Sequence, residues 1–96
     1  MHKHLVNFII MHPEDNCATT LEDILPQTEL KVKDRVIVTN HNIPLGHKIA
    51  LENIRKGELV KKYGHTIGFA TKDINKGDWI HIHNLTSQYL KEVLKI

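Results

Sequence analysis

Residues 46–84 read GHKIALENIRKGELVKKYGHTIGFATKDINKGDWIHIHN, and this stretch decides the fold. Glycine recurs wherever a short run of apolar residues has to turn, because glycine adopts positive φ without steric cost. Histidine or lysine lies beside several of these turns. The pattern predicts a compact β structure with polar, titratable side chains on its rim, where a sugar acid or a metal ion could bind.

An eight-residue pattern recurs within this stretch. Residues 53–60 (NIRKGELV) align with residues 73–80 (DINKGDWI), and residues 23–30 (DILPQTEL) are a fainter third copy. Each copy predicts a buried isoleucine, a turn at positive φ, and a short strand that alternates between two faces. We expect the copies to pack against one another as the corners of a small barrel.

Composition restricts the class of protein. The 96 residues are enough for one domain, spanning 1–96, with an aliphatic core, since 41% of the residues are hydrophobic and 5% are aromatic. The formal net charge of +2 is too balanced for a nucleic-acid partner. One cysteine, Cys17, cannot form an internal disulfide, which favours a reducing cytoplasm. Residues 5–11 are too short to span a membrane and make a poor signal peptide, so neither a membrane partner nor secretion is expected.

The sequence predicts four further strands and two helices. Residues 5–11 form an apolar strand that ends at Pro13, and residues 29–32, 35–39 and 48–51 are rich in β-branched residues and bounded by turn formers. Residues 17–25 carry apolar side chains at helical spacing and end at Pro26. A second short helix is expected to begin at Thr86 or Ser87 and to continue towards the end of the chain.

Several motifs occur together at a joint spacing. They are HPEDNCA at 12–18, GHKIAL at 46–51, KYG at 62–64, IGFA at 67–70 and HIHN at 81–84. In this spacing the chain resembles the SAF domain, of antifreeze-like β-clip fold, that is found at the start of altronate and galactarate dehydratases. The resemblance implies a mainly β fold, a small β-clip barrel with one or two short helices.

In that family the domain works with a much larger catalytic part that binds iron. The resemblance therefore implies the small subunit of an iron-dependent hydro-lyase, which removes water β to the carboxylate of a sugar acid, as in altronate or hexarate dehydratases. It implies a chain that is inactive without a large dehydratase subunit, with Fe²⁺ held mainly by that partner. The small subunit of sulfolactate sulfo-lyase and a non-catalytic carbohydrate-binding or assembly module are the alternatives. Self-association is also left open.

The candidate catalytic residues are His47 and Lys48. Elimination from a hydroxy acid needs a base for the proton beside the carboxylate, a Lewis acid for the leaving group, and donors that hold the substrate. His47 is a candidate general acid–base and Lys48 a candidate carboxylate anchor. Because neighbouring strand residues face opposite ways, only one can point at a given site unless Gly46 bulges the chain.

His81, His83 and Asn84 are candidate substrate-binding residues. If residues 79–83 form a strand, His81 and His83 project from one face with Trp79, and both could meet one ligand or metal ion. Asn84 could bind a substrate hydroxyl. The alternative is a solvated edge that ends in a turn-forming asparagine.

His12, Asp15 and Asn16 complete the candidates for substrate binding. They lie where the first strand is expected to end and a helix to begin, and the backbone N–H groups at a helix N-terminus attract a carboxylate. The alternative is that Asp15 or Asn16 only caps the helix. The glycine turns around Tyr63 are expected to be structural.

Overall fold

The computed structural model describes residues 8–32 and 34–87 of the chain. These residues form nine short strands and no helix. The strands are, in chain order, β1 (Phe8–Ile9), β2 (Cys17–Thr20), β3 (Glu29–Val32), β4 (Arg35–Val38), β5 (Lys48–Ala50), β6 (Leu59–Lys62), β7 (His65–Ala70), β8 (Trp79–Ile80) and β9 (Leu85–Ser87). The predicted mainly β fold is confirmed.

The strands form three antiparallel sheets. The central sheet has the order β1-β2-β5-β8, β3 and β4 form a hairpin, and β6, β7 and β9 form the third sheet. In the central sheet Cys17 lies opposite Ala50, and Lys48 lies between Thr19 and Ile80. The chain therefore leaves β1 and β5 at one end of this sheet and leaves β8 at the other end.

The repeat has four copies in the structure. Residues 42–49 (NIPLGHKI) form a further copy, which the sequence analysis did not identify. In each copy the fifth residue has positive φ: 63° at Gln27, 82° at Gly46, 89° at Gly57 and 92° at Gly77. The isoleucines at the second position pair as antiparallel bridges, Ile24 with Ile43 and Ile54 with Ile74. The prediction that the copies pack against one another is confirmed, and they do so in two pairs.

A reciprocal hydrogen bond explains the Asp or Asn at the start of each copy. In the second pair Asn53 Oδ1 accepts the Lys76 N–H at 2.8 Å, and Asp73 Oδ1 accepts the Lys56 N–H at 2.9 Å. In the first pair, the residue in the donor position of one copy is Pro26. Proline has no N–H, so this copy cannot donate a hydrogen bond to the other. The exchange in the first pair is therefore one-sided.

Each pair of copies encloses its own hydrophobic cluster. The first cluster contains Ala18, Ile24, Leu30, Val32, Ile37, Ile43, Ile49 and Leu51, and the second contains Cys17, Ala50, Ile54, Val60, Ala70, Ile74 and Ile80. Neighbouring residues of β2 and of β5 fall in different clusters because successive side chains of a strand face opposite ways. The central sheet thus separates the two clusters.

The turn of the fourth copy packs against the end of β4. A Cβ atom at Gly77 would overlap the Val38 carbonyl oxygen, so this close approach needs glycine as well as positive φ. The Asn40 N–H donates to the Gly77 carbonyl at 3.1 Å, and Asn40 Nδ2 donates to Asp78 Oδ1 at 2.7 Å. These contacts join the first pair of copies to the second.

The predicted helix over residues 17–25 is wrong. Residues Cys17–Thr20 form β2, and Asp23 and Ile24 belong to the first copy of the repeat. The β-branched Thr19 and Thr20 favour a strand, and pairing on both sides with β1 and β5 satisfies the backbone groups that a helix would satisfy locally. Within the described residues, no helix has the length and apolar composition needed to cross a bilayer.

The remaining strand predictions hold with small changes in length. Residues 29–32 are β3, while β4 and β5 each end one residue earlier than predicted. Of the predicted first strand over residues 5–11, residues 5–7 lie outside the described residues, Phe8–Ile9 form β1, and residues 10 and 11 are not in a strand. The predicted terminal helix lies mostly outside the described residues, and its first two residues belong to β9.

Candidate functional site

Three histidines gather around Trp79 at one end of the central sheet. The His81 ring stacks on the indole with a centroid distance of 5.4 Å and an interplanar angle of 10°. The His83 ring lies 5.2 Å from the indole and the His47 ring 5.7 Å, and the His47 and His81 rings are 4.8 Å apart. We call these four residues the Trp79 cluster.

A turn after β8 brings His81 and His83 to the indole. The strand ends at Ile80, so residues 79–83 are not the strand that the sequence analysis considered. Asn84, which is 5% exposed, closes the turn: its Oδ1 accepts the His81 N–H at 2.9 Å and its Nδ2 donates to the Trp79 carbonyl at 2.9 Å. The side chain of Asn84 thus shapes the turn that positions the two histidines.

His47 reaches the cluster because its copy of the repeat departs from the pattern. In the third and fourth copies the sixth residue accepts the N–H of the third: Glu58 from Arg55 at 2.7 Å, and Asp78 from Asn75 at 2.8 Å. In the second copy the third residue is Pro44, which has no N–H, and the sixth is His47. The His47 side chain therefore cannot accept a hydrogen bond from the third residue of its copy, and it contacts Trp79 instead.

The indole determines which nitrogen of neutral His47 carries the proton. Trp79 Nε1 donates to His47 Nδ1 at 3.1 Å, so Nδ1 must present its lone pair to the indole. The proton of the neutral ring is therefore on Nε2, where it can be donated to a ligand. In this state neutral His47 is a hydrogen-bond donor, since its basic nitrogen is already engaged.

The pKa of His83, the outer histidine of the cluster, is lowered by its surroundings. Burial lowers the pKa of His83, and Lys72, His81 and His41 lower it further, while Asp78 acts in the opposite direction. His41 Nε2 lies 3.5 Å from Asp78 Oδ1, which also accepts a hydrogen bond from Asn40 Nδ2. The neutral form of His83 is favoured as a result, and a neutral ring can donate one hydrogen bond and accept another.

Lys48 lies on the other face of the sheet. The side chains alternate along β5, so Lys48 points away from the face that carries Ile49 and His47. Its charge acts on the Cys17 thiol, whose pKa is raised to about 11, mainly by burial, with Lys48 acting against the increase. The structure therefore does not bring the two candidate catalytic residues together.

Asp15 and Asn16 bind the backbone of the β6–β7 hairpin. Asp15, 8% exposed, accepts the Tyr63 N–H at 3.0 Å through Oδ2 and the Gly64 N–H at 2.8 Å through Oδ1. Tyr63 and Gly64 have φ of 61° and 75°, as a two-residue hairpin turn of type I′ requires. Asn16 accepts the Lys61 N–H at 2.8 Å and donates to the Leu59 carbonyl at 2.9 Å.

The candidates at positions 12–16 lie at the opposite end of the central sheet from the Trp79 cluster. This follows from the register, in which β1 and β5 end beside Cys17. No helix begins here among the described residues, so the expected helix N-terminus is absent. The substrate-binding roles of these residues, and of His81, His83 and Asn84, stay predictions.

Two features of this region were missed by sequence reasoning. The sequence analysis placed Trp79 on one face with His81 and His83 but missed that it is the centre of the cluster, although it is the only tryptophan. Arg35 lines a cavity with His12, but the segment around Arg35 carries no motif that would have indicated this. Within residues 8–32 and 34–87, no three His, Cys, Asp or Glu side chains gather as a metal ion would require.

Comparison with known proteins agrees with this architecture. The family of altronate/galactarate dehydratase SAF domains matches residues 6–88. Altronate dehydratase of Escherichia coli is 39% identical over 79 residues, and that of Bacillus subtilis is 40% identical over 78 residues, or 82% and 81% of this chain. Each alignment covers 16% of the relative.

A third relative is named for a different reaction. The alpha subunit of (2R)-sulfolactate sulfo-lyase from Chromohalobacter salexigens is 37% identical over 46 residues, which is 48% of this chain and 49% of the relative. The match of the family over most of the chain confirms the resemblance that the motifs indicated. The chain belongs to the family of altronate/galactarate dehydratase SAF domains.

Proposed function

We propose that this chain is the substrate-contacting SAF domain of a sugar-acid dehydratase, acting with a larger catalytic subunit. The observation that carries the proposal is the Trp79 cluster, in which three imidazoles converge beside one indole at one end of the central sheet. The alignments support the class of reaction, because the relatives that cover most of this chain are named altronate dehydratases. The same alignments cover 16% of each relative, and this small share supports a larger catalytic part that acts together with the chain.

In this proposal the cluster supplies hydrogen-bond donors for a polyhydroxylated acid. His47 donates from Nε2, because Trp79 occupies Nδ1. His81 and His83 offer further polar ring atoms, and His83 favours the neutral form that can donate and accept. The cluster would form one wall of the pocket, and the larger subunit would form the other.

The base for the proton beside the carboxylate is assigned to the larger subunit. Neutral His47 has its basic nitrogen engaged by the indole, and Lys48 lies on the other face of the sheet. The described residues do not fit an iron site, since no three candidate ligands gather. The proposed Fe²⁺ is therefore held by the larger subunit. A cytoplasmic location is part of the proposal, supported by the unpaired Cys17.

The proposal is tested by reconstitution. The chain is mixed with a candidate large dehydratase subunit from the same organism, and the consumption of altronate and of galactarate is measured with each protein alone and with both. Activity is expected only in the mixture. Turnover of these acids by this chain alone would contradict the division of labour between the two subunits.

Variants of the cluster test its role within the complex. His47→Ala and His81→Ala should lower kcat/KM by about 10- to 100-fold, as the loss of a hydrogen bond to a charged ligand predicts. His65→Ala is the matched control, because His65 is an exposed histidine of β7 outside the cluster. Association is followed by size-exclusion chromatography. Equal activity of all three variants in intact complexes would favour an assembly module, which should lose activity only when association is lost.

The sulfo-lyase relative supports a second candidate substrate. The chain shares 37% identity with a sulfolactate sulfo-lyase alpha subunit over about half of each protein. Release of sulfite from sulfolactate by the same mixture, without dehydration of altronate or galactarate, would favour this alternative. Both reactions eliminate a group β to a carboxylate, so the role of the Trp79 cluster would be the same.

A further inference from the structure

A cavity of about 310 Å³ lies at the end of the central sheet that is remote from the Trp79 cluster. Its volume falls at the lower limit of about 300–1,000 Å³ for small-molecule sites, which indicates a small ligand. Four of its eight lining residues are aliphatic, namely Ile10, Met11, Val32 and Leu51, and the polar residues His12, Asp15 and Arg35 also line it.

Arg35 is the cationic residue of this cavity. It is the first residue of β4 and lies opposite Val32 in the β3–β4 hairpin. Arg35 is exposed and lines this cavity, so its guanidinium is accessible to a ligand. Its planar guanidinium can donate two parallel hydrogen bonds to one carboxylate, a geometry that a lysine cannot provide.

His12 is held in place on the wall of the same cavity. Its Nδ1 accepts the Glu14 N–H at 3.1 Å, so the neutral ring carries its proton on Nε2. The ring packs against Gly64, where a Cβ atom would lie 2.9 Å from Cδ2 of the imidazole. Both contacts restrict the ring, and with Nδ1 engaged its one N–H donor is at Nε2, which also lies beside Gly64.

Asp15 is the acidic residue of the cavity and opposes the binding of an anion. Its two oxygens accept the N–H groups of Tyr63 and Gly64, which stabilise the carboxylate charge. A ligand therefore meets donors on Arg35 and His12, and one carboxylate that already accepts two backbone N–H groups.

We propose that this cavity binds a small carboxylate with a short hydrocarbon body. The carboxylate would be held between the Arg35 guanidinium and His12 Nε2–H, and the hydrocarbon would lie against Ile10, Val32 and Leu51. This site is separate from the Trp79 cluster and uses none of its residues. It would take a different ligand from the proposed substrate, and its test does not depend on dehydratase activity.

The test is a titration of the chain with butyrate, followed by NMR shifts of backbone amides, with butanol as the uncharged probe of similar size. Saturable shifts at residues around the cavity are expected with butyrate, with a dissociation constant in the millimolar range for so small a ligand. Butanol should give much weaker shifts. Equal responses to both probes, or no saturable response to butyrate, would overturn the proposal.

Variants identify the residues that recognise the carboxylate. Arg35→Gln should weaken butyrate binding by about 10-fold or more, as expected for a charge-assisted bidentate contact. Lys31→Gln is the matched control, because it removes one positive charge from the neighbouring strand without changing the lining of the cavity. Equal affinities of these two variants would refute the role of Arg35.

The role of His12 is tested by a pair of variants that separates its two nitrogens. His12→Asn keeps an acceptor near the Glu14 N–H but removes the donor, whereas His12→Gln keeps a donor near the position of Nε2. Binding should be weaker in His12→Asn than in His12→Gln. Thermal unfolding of each variant shows that it is folded, and equal affinities of the two would remove His12 from the site.

Discussion

Asp15→Asn should destabilise the fold through the β6–β7 turn. The carboxylate accepts two backbone N–H groups, at 2.8 and 3.0 Å, from residues that both have positive φ. An asparagine keeps one acceptor oxygen, but its NH₂ group would face the second N–H. One hydrogen bond to a charged acceptor is lost, and a poorly solvated donor is left unpaired, which costs about 2–3 kcal/mol.

The assay is urea and thermal unfolding, followed by circular dichroism and by the fluorescence of the single tryptophan. For a domain of this size, about 1 kcal/mol corresponds to roughly 4–8 °C, so the expected decrease in Tm is about 10–20 °C. The matched control is Asp34→Asn, an exposed aspartate in the β3–β4 turn that should change stability by less than about 0.5 kcal/mol. Amide exchange at Gly64 should accelerate in Asp15→Asn.

Equal stabilities of Asp15→Asn and Asp34→Asn would refute this reasoning. It would mean that the carboxylate contributes nothing to the turn and is available for a ligand. A loss of stability confined to Asp15→Asn would instead explain an aspartate at this position without any contact to substrate.

Three further predictions concern the repeat turns, the buried thiol and the outer histidine. Gly77→Ala should cost more than about 3 kcal/mol in urea unfolding, because of overlap with a backbone carbonyl, whereas Gly46→Ala, with open space around it, should cost only the positive-φ strain of about 1–2 kcal/mol. Similar costs would contradict this. The Cys17 thiol, with its pKa raised to about 11, should resist alkylation at neutral pH in the native chain. Between about pH 9 and 11 unfolding releases its proton, so stability should fall by about 2–3 kcal/mol, and Cys17→Ala should lack this decrease. Lys72→Gln should raise the pKa of His83 in an NMR titration, because Lys72 is one of the charges that lower it, and an unchanged midpoint would exclude that charge.

Much of the fold was predictable from the sequence because its signals are local. Glycines at positive φ and short β-branched runs gave the strands at 29–32, 35–38 and 48–50 nearly as observed. The repeat was visible where glycine marks the turn. The copy at 23–30 was faint because Gln27 replaces that glycine, and the copy at 42–49 was missed because two of its positions carry Pro44 and His47.

The helix over residues 17–25 was predicted wrongly because apolar spacing cannot identify a partner strand. A helical face would contain the apolar residues at positions 17, 18, 21, 24 and 25. In the structure Cys17 packs in one core cluster and Ala18 in the other, so the strand is buried on both faces. Residues buried on both faces of a sheet do not show the alternation that identifies a strand with one exposed face. Asp15 and Asn16, which favoured a helix cap, bind a hairpin more than 40 residues away.

The sequence by itself determined the residue types of the site, the turns beside them and the family to which the chain belongs. Only the tertiary structure decided which of those residues meet. Pairing of β5 with β8 brings His47 to Trp79 and turns Lys48 to the other face, and the register of the central sheet places His12 at the far end. The cavity of His12 and Arg35 is likewise formed by segments that are distant along the chain. Local spacing specifies the direction of a side chain along its own strand, whereas its neighbours across the sheet depend on pairings made over long sequence separations.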